Sequence, residues 1–429
     1  MARAMKDSGI EWIGEIPAGW EVRKLKHYYE IQTGFTPDTK KEEFYDDENG
    51  FDWVNISDIQ DGKIIFNTKK KVSQLFVDQY KPTIIPKGSL LYSFKLSVGQ
   101  TAFTGKDMYS NEAIAAFLPV KGANLRFLRY SSSLIIENAE VNIYNARILN
   151  RDRINNAYIV FPPEAEQNRI ADYLDAECAR IDAVIEQTRA SIEEYKRLKQ
   201  AIITQAVTKG IHPGRKMKMT GNPWIPEIPV EWNLSRVGLH FDIILGKMLC
   251  SSQIAGDYTL EPYYCAANVH FDGVADDDIK QMWFSPVEKA QYLVKLGDLL
   301  VVEGGAGAGG CAIVNEIDQP IYVQNSIMIV RKKSKANNRY LRYLIEGFVK
   351  SGYIDVVCNK ATIPHFTKDK LANVPFVVSQ EQEEIADYLD RKTSEIDGLI
   401  AKKNQLIIQL ESYKKSLIFE YVTGKKEVI

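Results

Sequence analysis

Apolar residues recur at steps of three and four along the stretch that opens at Glu166: Ile170, Leu174, Cys178, Ile181, Ile185, Thr188, Ile192, Tyr195, Leu198, Ile202 and Ala206. That spacing predicts one long helix with a narrow apolar face. The rhythm returns from Glu381, through Ile385, Leu389, Ile396, Leu399–Ile400, Lys403, Leu406–Ile407, Leu410, Tyr413, Leu417 and Tyr421. Neither stretch contains proline, and glycine closes both, at Gly210 and at Gly424. Rods of roughly 60 Å follow at about 1.5 Å per residue, too long for one small domain. Two such rods are expected to hide their stripes against each other as an antiparallel coiled coil; the rival is a seam with a second protein. Tyr173, Val184, Tyr388 and Leu399 widen the apolar surface, so they are the candidates for partner docking.

Before each rod the pattern changes to short apolar runs punctuated by Gly and Pro, which predict strands. The first set is Trp53–Ile56, Ile64–Phe66, Ser89–Phe94, Ala113–Pro119 and Ile159–Phe161. The second is Phe241–Leu245, Asp298–Val302, Cys311–Val314 and Ile327–Val330. The likeness extends to the letters. IEWIGEIPAGW (10–20) is echoed by PWIPEIPVEW (223–232), and EQNRIADYLD (166–175) by EQEEIADYLD (381–390). A repeat of this size is a domain and not a solenoid unit. The expected fold is α+β: two mixed α/β globules separated by two long antiparallel helices in a coiled coil, a pseudo-twofold internal repeat. The boundaries fall at 1–165, 166–210, 211–380 (a basic linker, His212–Asn222, and the second globule) and 381–424.

Composition narrows the class. With 45% hydrophobic and 26% charged residues the chain is globular, and a net charge of −2 excludes a wholly basic nucleic-acid coat protein. Local basic faces stay possible, since charges act over a Debye length of about 8 Å. No apolar run reaches the roughly 18 residues of a membrane span, and MARAMKDSGIEW has no apolar signal core, so no membrane partner and a cytoplasmic location are expected. Five scattered cysteines (178, 250, 265, 311, 358) without a CxxC pair predict reduced thiols and no metal site.

Catalytic motifs are absent or fail on inspection. The run Glu303–Gly310 (EGGAGAGG) resembles a phosphate loop, but that reading needs a helix next, and Cys311–Val314 favours a strand. Phe161–Pro162–Pro163–Glu164 carries neither the Asp or Asn before the prolines nor the aromatic after them that an amino-methyltransferase uses. No Ser–His–Asp grouping or HxxxH pair is present. The chain is therefore expected to be non-catalytic.

Polar-basic segments precede the last strand of each globule. Arg147, Asn150, Arg151 and Arg153 lie in the first; Lys360, Thr362, His365, Lys368 and Lys370 lie in the second. Arg and Lys suit phosphates, while Arg147, Asn150, Thr362 and His365 suit base edges. A helix start with a solvated face explains these segments equally well. Lys69 and Lys70, of the triplet Lys69–Lys71, are weaker candidates, as are the loop residues Lys95, Ser97 and Lys247.

Arranged in this way, the chain resembles the specificity (S) subunit of type I restriction–modification systems. The resemblance rests on WIGEIPAGW and WIPEIPVEW, on the two IADYLD strings, on TGFTP (33–37) with FDWVNISDI (51–59), and on the helix ends AVTKG (206–210) and YVTGK (421–425). It covers essentially the whole chain, although the second copy has LGKML (245–249) where the first has TGFTP. It implies two target-recognition domains, each reading half of a bipartite target in double-stranded DNA. It also implies helices that act as spacer and as docking surface for two methyltransferase (M) subunits, with restriction (R) subunits joining through them. S-adenosylmethionine, ATP and magnesium would belong to those partners and not to this chain. The alternative is a coiled-coil adaptor without sequence-specific DNA binding.

Overall fold

The computed structural model describes residues 3–95, 97–122, 124–138, 140–141, 147–252, 256–333, 335–358 and 364–428. It resolves into two compact units, one of Met1–Gln187 with Gln405–Ile429 and one of Thr188–Asn404. Each unit therefore takes one globule and part of both long helices.

In the first unit a five-stranded sheet runs in the order Ile31–Thr33, Ile114–Phe117, Leu90–Ser93, Thr101–Thr104, Lys63–Ile65, antiparallel except for the last pair. A three-stranded sheet centres on Phe51–Val54, and Tyr158–Phe161 pairs with Glu21–Lys24. The second unit repeats the plan with one strand fewer in its larger sheet: Phe241–Leu245, Ile327–Lys332, Leu299–Val302, Cys311–Ile313. A three-stranded sheet centres on Thr259–Tyr264, and Asn233–Arg236 pairs with Pro375–Val378. The central strands are apolar without alternation because both faces are covered. Leu299 and Val301 enter one buried cluster with Met328 and Val330, while Leu300 and Val302 enter another with Ile327 and Ile329. Strand residues alternate in direction, so one apolar run supplies two cores.

The expected strand Trp53–Ile56 begins and ends earlier, at Phe51–Val54. Asn55 caps a short turn over Ile56–Asp58, its side chain accepting from the Ile56 N–H while Asp58 accepts from the Asn55 N–H. That capping box ends the ladder.

Both long helices are continuous, Glu164–Lys209 and Gln382–Val422. Within the first unit they are antiparallel: Tyr173 packs against Tyr421 with tilted rings whose centroids lie 4.5 Å apart, and Asp182 receives Lys414 at 2.6 Å. Within the second unit Lys403 lies 5.6 Å over the Tyr195 ring, and Lys199 donates to Asp397 at 2.7 Å. The stripe from Ile170 to Ile192 is buried as its period predicts. Beyond Tyr195 it holds only in part: Leu198 is exposed, while the predicted Ala206 is buried beside Ile203 and Val207 in the core of the globule. The buried face follows the neighbour, which here is a globule and not the partner helix. In the second helix Ile407 is buried while Leu399, Leu406 and Tyr413 are exposed. Of the predicted pair Leu406–Ile407, Ile407 is thus the member that faces inward. Among the described residues no helix is long and apolar enough to cross a membrane.

Candidate nucleic-acid interface

The repeated letters build a clasp, and they build it twice. Gln167 is buried at the start of the first long helix, where it accepts from the Asn124 N–H at 3.1 Å and donates to the Pro162 carbonyl at 2.9 Å. Gln382 does the same with the Asn337 N–H and the Val377 carbonyl, at 3.1 and 3.3 Å. Two turns on, Asp175 receives the Tyr130 hydroxyl at 2.5 Å and Arg126 Nε at 2.9 Å, and Arg126 also reaches Asp172. Its counterpart Asp390 receives Tyr343 at 2.7 Å and Arg339 at 2.6 Å, and Arg339 also reaches Asp387. Burial, then the Asp175 carboxylate, pushes the Tyr130 hydroxyl well above the usual phenol range. Burial does the same for Tyr343. Both hydroxyls therefore stay protonated donors.

A second knot involves the N-terminal tryptophans. Trp20 is buried and donates its indole N–H to Glu166 at 2.8 Å, while Arg3 lies 4.9 Å over its ring and pairs with the same carboxylate at 2.6 Å. In the other copy Arg215 lies 5.6 Å over buried Trp232 and pairs with Glu381 at 2.7 Å. Burial alone would raise the Glu166 carboxyl, but the donors Arg3 and Trp20 outweigh it and hold it below its ordinary value. The strings that announce the repeat thus fasten each globule to its helix. Their partners Asn124, Arg126, Tyr130, Asn337, Arg339 and Tyr343 lie in a further repeated string, ANLRFLRY (123–130) and ANNRYLRY (336–343), which the sequence reading passed over. That string and the recurring Asp of IADYLD were the available signals.

The predicted contact residues are spread over several elements. Asn150 caps the helix Arg151–Asn156 by accepting from the Arg153 N–H at 2.8 Å, and Arg151 donates to the Ile31 carbonyl at 3.3 Å. The helix-start reading of that segment therefore describes its local structure. Arg147 sits in the short strand Arg147–Ile148, paired with Glu140–Val141. Lys69 is exposed and Lys70 lies 5.3 Å over the Tyr45 ring. The turn before them is pinned by Asp52, which accepts from the Thr68 N–H at 2.8 Å and pairs with Lys106 at 2.5 Å. Burial raises the Asp52 carboxyl, yet those donors bring it below the ordinary range.

Lys95 pairs with Glu112 at 3.4 Å on the surface, and Ser97 takes a left-handed conformation with φ 49°. Lys247 is half-buried, paired with Glu288 and lying 5.7 and 5.8 Å from the Tyr258 and Phe284 rings. In the second copy Lys360 and Thr362 lie outside the described residues. His365 is exposed and meets Glu303 at 3.8 Å; Lys370 donates to the His365 carbonyl at 2.7 Å; Lys368 is exposed. Of the docking candidates, Val184 and Leu399 are exposed. Tyr173 is engaged by Tyr421, whose hydrogen bond, with burial, pushes its hydroxyl up to about 12, and Tyr388 packs against the second globule's core.

The glycine run leads into the strand Cys311–Ile313 and not a helix, so it lacks the anion-binding helix start of a nucleotide loop. Among the described residues His212, Glu381 and Glu384 form one group with metal-ligand chemistry. Arg215 already occupies Glu381, and Glu384 lies in a helix's first turn, where the dipole opposes a cation. The 3.2 Å His212–Glu384 contact is accordingly an ordinary side-chain pair.

The family described as the type I restriction modification DNA specificity domain matches residues 17–194 and again 229–409. The type I restriction enzyme MjaVIII specificity subunit of Methanocaldococcus jannaschii is 23% identical over 96% of this chain and 94% of its own length. The HsdS subunit from Thermoanaerobacter tengcongensis has a similar fold, with a TM-score of 0.53, 19% identity and coverage of 96% and 98%. A chain solved in a study of complex assembly and conformational transition of the type I R-M system gives a TM-score of 0.72 at 18% identity, covering 96% and 99%.

Proposed function

This chain belongs to the family of type I restriction–modification DNA specificity subunits, and from that membership we propose that each globule reads one half of a bipartite, asymmetric duplex target. The carrying observation is a pair of globules with the same scaffold and the same clasp but unlike loops. Where TGFTP places Phe35 against Phe76 and Tyr80, LGKML places Lys247 between Tyr258 and Phe284. Duplicated scaffolds with divergent loops suit a reader of two different sequences, because scaffold contacts position a reader and loop contacts specify.

The chain itself does no chemistry in this reading. It docks two methyltransferase subunits and, through them, restriction subunits, using the exposed apolar side chains of the long helices: Val184, Leu399, Ile408 and Tyr413. Those partners bind S-adenosylmethionine, ATP and magnesium. An adenine inside the stack is out of reach, so the methylating partner must flip it while this chain holds the duplex. Co-expression with the neighbouring methyltransferase subunit, followed by mapping of methylated adenines across the host genome, tests the reading. A two-part motif that vanishes when this chain is omitted is the expected result. A complex that assembles and methylates nothing would sink it and favour a structural adaptor.

A further inference from the structure

The loop between the strands Leu299–Val302 and Cys311–Ile313 is nearly all glycine and alanine, and the fold accounts for most of that. Gly305 and Gly309 have positive φ (85° and 82°), which glycine adopts freely. A Cβ on Gly309 would come within 2.8 Å of Val349, one on Gly310 within 2.9 Å of the Gly307 carbonyl, and one on Gly304 within 3.1 Å of the His365 ring. Gly307 is different. Its backbone is unstrained, it is exposed, and a Cβ there would find only Val302, at an ordinary 3.8 Å. The chain leaves room at Gly307 for a side chain that it does not carry.

The tip is also chemically open. Four of the loop's amides are used: Gly305 N–H donates to Pro364, Ala308 to Gly305, Gly309 to Val302 and Gly310 to Gly307. The adjacent N–H groups of Ala306 and Gly307, both exposed, have no acceptor among the described residues. Successive free amides on a side-chain-free turn suit an anion that must come close. The loop is held in place by an antiparallel bridge from Gly304 to His365 and by the Phe366 N–H donating to the Glu303 carbonyl at 2.6 Å. That bridge brings the exposed His365 ring beside the loop, and Lys368, which has no ion pair among the described residues, follows in sequence.

We infer that the Ala306–Gly307 tip is a DNA-contacting element of the second globule, seating a phosphate of the duplex on its two free N–H groups with His365 at its flank. This rests on the proposed function and adds a location to it. The residue that matters is a glycine that stability does not require.

The test uses the full chain assembled with its methyltransferase subunit and a labelled duplex carrying the mapped target, read by fluorescence anisotropy beside thermal melts. Gly307→Leu is expected to melt with the unsubstituted chain and to weaken binding tenfold or more. Gly307→Ala should weaken it less, and Gly19→Leu, at another exposed and uncrowded glycine, should leave binding unchanged. Equal affinity for Gly307→Leu and the unsubstituted complex overturns the inference and leaves the proposed function standing. A lowered melting temperature for Gly307→Leu also overturns it, since the fold would then need this glycine. Failure of the unsubstituted complex to bind any mapped duplex overturns both.

Discussion

The hairpin after Leu90–Ser93 and the hairpin after Leu299–Val302 occupy the same place in their globules, yet they share almost no chemistry. The first carries Phe94, Lys95 and Ser97, with Lys95 paired to Glu112; the second carries glycines and alanines. A few residues away, Phe94 N–H donates to the Ala113 carbonyl as Glu303 N–H donates to Ser326. The strands and the clasp are under a common constraint, burial and hydrogen-bond satisfaction, which two copies must meet in the same way. The loops face solvent and are held by no such rule. What differs between the copies is therefore where different targets can be read.

The comparison breaks most readily at the clasp. Truncating Trp20 or Trp232, both buried, is expected to cost about 3–5 kcal/mol in urea denaturation, with the two losses alike. A loss below about 1 kcal/mol at either would separate the copies where they are argued to be equivalent. Asp390→Ala removes the shared acceptor of Tyr343 and Arg339 from a half-exposed site and should cost about 1–2 kcal/mol. Asp175→Ala should match it.

Exchanging loops sharpens the other side of the comparison. Replacing only the exposed tip Ala306–Gly307 with Lys–Ser, the residue types of the other hairpin, should leave the melting temperature close to the original and alter one half of the methylation motif. Changes in both halves would contradict independent reading.

A smaller effect follows from Glu166. Its folded carboxyl titrates below its ordinary value, so its stabilisation is complete above the unfolded pKa of about 4.3 and fades as pH falls through the folded one. The stability gap between the unsubstituted chain and Glu166→Gln should narrow on acidification through that window; a gap constant with pH would assign it to packing. The smallest change expected is at Tyr29, whose buried hydroxyl has no acceptor among the described residues and whose counterpart is Phe241. Tyr29→Phe should shift stability by less than about 1 kcal/mol, in either direction, on the same denaturation curves.

Periodicity and repetition were enough to recover the two-copy plan, both long helices and seven of the nine strands of the two larger sheets, but few of the strands outside them. A buried stripe or a core strand leaves a periodic trace in any sequence that folds this way. The same trace misplaced Leu198 and Tyr413, both exposed, because a stripe records how much surface is hidden and not which neighbour hides it. The repeated strings were visible as letters, but their role was not: Asp175 and Asp390 are intelligible only beside Tyr130, Arg126, Tyr343 and Arg339, which lie far off in the chain. Candidate contact residues fared similarly. Asn150 is a helix cap and Lys247 a half-buried ion-pair partner, roles that basic or polar identity alone does not reveal.

By itself, then, the sequence determined the duplication, the helices and the family, since these depend on pattern and composition. Only the tertiary structure decided which polar residues are spent holding the globules to their helices and which remain free to meet a ligand. Hydrogen bonds between distant residues are matched by geometry, and geometry exists only once the chain is folded.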